Sequence, residues 1–155
     1  MASRSGSEPR PLIPALSRFY EFNIDFSWLV VRFGVSWLLI VHAYGKIMRG
    51  MAAQAKTLDI SVPYFKAYNL ELSYLLTFVE GAGGLCILLG LFTRFFAVAV
   101  GIEMAFLTFW LYWSTGFSWL NRGYEFTLLW GLMCAAIALR GGGPYSLDRL
   151  IGKEL

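Results

Sequence analysis

The chain has 155 residues, of which 57% are hydrophobic and only 15% charged, where an ordinary soluble domain carries about 25% charged residues. That leaves too little polar surface to cover a globule, while 17% aromatic residues exclude a disordered chain and two cysteines exclude a disulfide scaffold. The net charge of +3 comes without any run of Lys and Arg, so nothing here tracks a nucleic acid.

Residues 1–14 are polar and proline-rich and read as a tail. Ala15, Phe19, Phe22 and Phe26 then recur four and three apart, which puts them on one helical face. That face predicts a helix lying at the membrane interface, with a cytosolic extension of the first span as the alternative. The first membrane helix is expected over 28–47 and carries Arg32, His42 and Lys46. Ala53-Gln54-Ala55 resembles a signal-peptidase site, but the region before it is too long and its apolar segment contains Arg32. The connection 48–70 is the longest, is interrupted by Pro63, and has room for a turn or two of helix over 52–58.

The second span is expected over 71–91 with Glu80 near its middle, followed by a tight turn at Phe92-Thr93-Arg94. The third, 95–113, encloses Glu103, and the short fourth, 124–139, begins near Glu125. Helices of about 20 residues each fit the length available. Gly141-Gly-Gly-Pro144 ends the fourth span. Ser146 is placed to cap a short helix whose Leu147, Leu150 and Ile151 favour the membrane surface. The expected fold is therefore all-α: a four-helix transmembrane bundle over 28–139, a tail and interfacial helix over 1–27, and a C-terminal segment with its own interfacial helix over 140–155. Lys and Arg favour the side holding the tail, the 92–94 turn and the C-terminus, so both termini are expected in the cytoplasm. Tyr44, Tyr68, Tyr74, Trp110, Tyr112, Trp113, Trp119 and Tyr124 would form an aromatic belt at the other face.

Cys86 and Cys134 fall inside spans without a CxxC or a Cys/His cluster, so packing explains them and no metal site is expected. No phosphate-binding loop, nucleophile elbow or HExxH occurs. Gly81-Ala-Gly-Gly84 sits mid-span and reads as close helix packing. The informative residues are the ionisable ones inside the membrane, where an uncompensated charge costs about 2.5–3.5 kcal/mol on insertion scales. Counting depth along each span groups Arg32 with Glu80 and Glu103 near one face, and His42 and Lys46 with Glu125 near the other. Two readings follow. These residues either form ion pairs that lock the bundle or line a polar pocket, for a proton path or a quinone whose carbonyls meet His, Lys or Arg. Glu103 has a further reading, that it faces a partner subunit.

Several segments together resemble the DoxX family of small four-helix bacterial membrane proteins: Arg32-Phe-Gly with His42-Ala-Tyr-Gly45-Lys46; Glu80 through Gly90-Leu-Phe-Thr-Arg94; Asn121-Arg-Gly-Tyr-Glu125; and Gly141 through Asp148-Arg149. The resemblance spans about 31–150; the tail, the helix before span one and Glu103 are outside the pattern. It implies a bacterial inner-membrane protein associated with membrane redox systems, including quinone-reducing thiosulfate oxidation, and with oxidative-stress complexes. It assigns no catalytic residue. The leading expectation is a subunit of a membrane redox complex, with no covalent cofactor and a quinone as the candidate ligand. The alternative is a structural or assembly subunit of a respiratory or photosynthetic complex. Membrane lipids and other membrane subunits, met through the Glu103 face or the N-terminal tail, are the expected partners.

Overall fold

The computed structural model describes residues 12–61 and 63–154, with the backbone alone at 60, 61 and 63–65. The tail over 1–11, and the expectation that it meets a partner, lie outside the described residues. Among the described residues six α-helices follow in order: α1 (Ser17–Arg49), α2 (Met51–Ser61), α3 (Asn69–Leu89), α4 (Thr93–Phe106), α5 (Glu125–Arg140) and α6 (Leu147–Ile151). The described residues are helical or irregular, with no strand among them. Three segments are long and apolar enough to cross a membrane: Pro14–Arg49, Lys66–Leu89 and Thr93–Leu111. The fourth long helix, α5, has 16 residues, about 24 Å at about 1.5 Å per residue. That is less than the roughly 30 Å hydrocarbon core.

α1 decides between the two readings of the stretch before the first span. Its 33 residues run unbroken, about 50 Å long, so residues 17–27 are not a separate interfacial helix but the first turns of the spanning helix. No proline or glycine falls between Ser17 and Phe33 to stop the helix, and Phe19, Phe22 and Phe26 stay exposed along it. The long connection is also more ordered than expected: α2 has 11 residues, and Asn69 at the start of α3 donates to Asp59 at 2.7 Å.

α1 packs along α3 and α4 along α5, and the two pairs join through α3 and α4. Small residues set these approaches. A Cβ at Gly84 would stand 3.0 Å from Ile40 and 3.2 Å from Leu39, and one at Gly81 would stand 3.3 Å from Ala43. Close contact therefore fixes the α1–α3 register, as small residues do where no water drives helices together. Val35, Leu39, Ile87, Ala97, Val100, Met104, Cys134 and Ile137 form the central core. Cys134 is buried and Cys86 half-buried, both as free thiols. Beyond α4 the helix widens into a π turn at Leu107–Leu111, tied to α5 by a 2.8 Å hydrogen bond from Thr108 to Thr127. The aromatic residues after it pack on one another, with Trp113 stacked on Tyr124 at 4.8 Å.

Candidate functional site

The motif residues gather in two polar layers. The first lies where the α3–α4 turn meets the C-terminal segment. α3 ends at Gly90, whose left-handed φ of 71° lets Leu91 N–H return to the Cys86 carbonyl at 2.9 Å. A helix end still leaves other carbonyls without partners. Arg32, fully buried, supplies donors to them. Its Nε donates to the Ile87 carbonyl at 2.9 Å and its Nη2 to Leu88 at 2.7 Å. Its Nη1 reaches the Tyr145 carbonyl at 2.8 Å and also the carbonyl of Gly142. One guanidinium thus joins the end of α3 to the chain beyond α5. Its positive charge also lies at the negative end of the α3 dipole.

Three neighbours repeat this pattern. Arg94 donates to the Ala138 and Leu139 carbonyls at the end of α5, both at 2.7 Å. It also pairs with Glu154 at 3.2 Å. Glu154 in turn accepts from Gly142 N–H at 2.7 Å. Asp148 caps the start of α4, accepting from Phe92 N–H at 2.7 Å, Thr93 N–H at 2.9 Å and the Thr93 hydroxyl at 2.7 Å. The Trp28 indole donates to Gly141 at 2.9 Å, with Arg140 4.4 Å over its ring. Ser146 accepts from Arg149 N–H at 3.3 Å, the expected cap of α6. Leu147 of that helix is half-buried, whereas Leu150 and Ile151 are exposed.

The second layer lies within the bundle. Lys46 Nζ is 2.8 Å from Glu80 Oε2, and both side chains are buried. Glu103 is buried beside them: a Cβ at Gly83 would stand 2.8 Å from Val100, and that contact sets Glu80 level with Glu103 on the antiparallel α4. Neither Glu103 oxygen receives an N–H or hydroxyl donor among the described residues.

These pairings differ from those expected. Arg32 does not meet Glu80 or Glu103, and Lys46 meets Glu80 rather than Glu125. The register explains it. Because Gly81 faces Ala43 and Gly84 faces Leu39, Glu80 stands level with Tyr44, about 18 Å along α1 from Arg32. Counting depth from Trp28 had set the α3–α4 turn a turn too low. Glu103 points into the bundle, not toward an outside partner. Glu125 is half-buried and accepts from Trp119 N–H at 3.2 Å, closing the loop before α5. His42 is exposed on α1, its ring edge-on to Trp130 at 5.4 Å.

Arg94 is a site residue that charge-pair reasoning passed over, because its partners are mostly backbone carbonyls. No group of His, Cys, Asp and Glu among the described residues is arranged to hold a metal ion. A groove of about 600 Å³ lies on α4 beside Phe92, Arg94, Phe95, Phe96 and Val98, away from His42 and Lys46. Of the three donors expected at the polar end of a quinone cleft, Arg32 is occupied by carbonyls and Lys46 by Glu80, so the donor set fits a quinone only through His42.

No curated protein and no solved structure matches the chain. A profile of the DoxX family, however, matches residues 27–113, more than half the chain, and the match takes in Arg32, His42, Lys46, Glu80 and Arg94. The chain belongs to the DoxX family of membrane proteins.

Proposed function

We propose that this chain is a structural subunit of a larger complex in the bacterial inner membrane, contributing a rigid helical scaffold rather than a ligand pocket. The observation that carries the reading is the Arg32 network. The most deeply buried cation of the motif set makes four hydrogen bonds to backbone carbonyls from two chain segments. Such a residue holds helices in place, with one N–H of its five left over and no exposed surface to offer a substrate. α5, though short, lies along α4 and serves as a fourth, thin span, since short spans are accommodated by local bilayer thinning. Both termini lie in the cytoplasm. Support for this comes from Arg140, Arg149 and Lys153, which line one groove at the end that also holds Arg94, an enrichment expected of a cytoplasmic face.

A second reading, a redox subunit touching a quinone, is favoured by one feature: His42 is a hydrogen-bonding group exposed within a span. Gentle detergent extraction followed by sizing and organic extraction separates the two. A particle larger than the monomer, free of quinone and unchanged by His42→Ala, is expected of the scaffold. A quinone retained by the native protein and lost in His42→Ala would replace the scaffold with the redox subunit. A bare monomer without quinone would refute both.

A further inference from the structure

We propose that Glu80 and Glu103 hold one proton between them inside the membrane and form, with Lys46, a buried site that binds and releases that proton. The inference does not rest on the scaffold reading. Glu80 is 3% and Glu103 5% exposed, and Lys46 is 8% exposed. An ionised carboxylate has only acceptors, and neither Glu103 oxygen receives a donor among the described residues, so two acids buried side by side require a proton on one of them. Charge balance requires the same. The site holds one ammonium and two acids, and a second negative charge would lie uncompensated in low dielectric.

Among the described residues the surrounding groups supply no further cation. α1 contributes Lys46, α3 Glu80 and α4 Glu103. α5 brings the Cys134 side chain beside Gly101, two residues before Glu103, where a Cβ would stand 3.6 Å from it. The segment after α4 brings Tyr112, within electrostatic reach of Glu80 and of the exposed Arg122. His42, one turn before Lys46, is turned outward against Trp130. The π turn at Leu107–Leu111 begins one turn beyond Glu103, and such local widening recurs at functional sites. Only an O–H bond forms or breaks: the proton comes from water and returns to it, with no change in oxidation state.

Infrared spectroscopy of the full chain in liposomes tests this. At neutral pH the native protein is expected to show the C=O stretching band of one protonated carboxyl, shifting in D2O. Glu103→Gln abolishes the band, because the amide donates to an ionised Glu80 and needs no proton. Glu80→Gln abolishes it too, because Glu103 then ionises against Lys46. Lys46→Met increases it to about double, since neither acid retains a counter-ion. Circular dichroism and elution volume show which variants are folded. If only one Gln variant folds, its band decides the matter. If neither folds, the native band and its loss at alkaline pH decide it. A native protein without the band, or a folded Gln variant that keeps it at full intensity, would overturn the proposal.

Discussion

Replacing Arg32 by lysine keeps the charge and removes the planar fork. The guanidinium reaches Ile87 and Leu88 on one side and Gly142 and Tyr145 on the other. A lysine ammonium presents its donors from a single point and cannot reach both pairs. At least two buried carbonyls lose their partners, at about 1–3 kcal/mol each, so we expect a loss of roughly 2–6 kcal/mol. Against a total stability of about 5–15 kcal/mol, that is a large fraction. Reversible unfolding in mixed micelles titrated with SDS, followed by far-UV circular dichroism, measures the loss. Hydrogen exchange locates it: amides of 142–154 and the 90–93 turn should lose protection before the middle of α3. An Arg32→Lys protein within about 0.5 kcal/mol of the parent, with unchanged exchange at the C-terminus, would refute the reasoning.

Lys46→Met and Glu80→Gln are expected to be non-additive by about 0.5–3 kcal/mol in the same assay, whereas Arg32→Lys and Glu80→Gln add within about 0.5 kcal/mol because they share no contact. Coupling between Arg32 and Glu80 would contradict the register. Gly90→Ala combines a left-handed φ of 71° with a Cβ 2.6 Å from Arg32 Nη2 and should fail to accumulate folded protein, while Gly34→Ala meets nothing within 4 Å and should behave as the parent. Asp148→Asn sets an amide against the Thr93 N–H and hydroxyl that the carboxylate now accepts. It should cost about 1–3 kcal/mol and speed proteolysis after Gly141; an unchanged cleavage rate would count against the cap. A cysteine at Lys153 should resist an impermeant maleimide added to intact spheroplasts, and ready labelling would reverse the orientation.

The all-α class, the second and third spans and the Ser146 cap could be read from residue spacing and turn chemistry, whereas the tight turn between those spans falls at 90–92, two residues before the expected 92–94, because Gly90 ends α3 and Thr93 already starts α4. The ion-pair partners could not. The depth count left Glu80 about midway between Arg32 and Lys46, which lie about 21 Å apart along α1; a register shift of little more than one helical turn sets it beside Lys46, and that register is set by how closely Gly81 and Gly84 approach α1. Arg32 and Arg94 were illegible for a different reason. A charge in a sequence suggests an opposite charge, yet these arginines mostly bond to carbonyls, which every residue has. The available signal was the helix end itself: Gly90 and Gly141 mark where last-turn carbonyls need donors. The continuity of α1 through residues 17–27 was legible in principle, since no helix-breaking residue interrupts it.

The Arg32 network also imposes an order on biogenesis. The guanidinium is made in α1, ahead of every helix it helps to hold, yet two of its four acceptors, Gly142 and Tyr145, lie 110 and 113 residues further along the chain. The N-terminal amides of α4 likewise wait for Asp148. While the ribosome is still reading, the inserted helices carry an arginine whose hydrogen bonds are incomplete and a helix start without its cap. Closure therefore waits until the chain has been made past Asp148, and a nascent protein arrested before Gly142 should remain open to proteases and to insertion-site chaperones that the folded protein no longer engages.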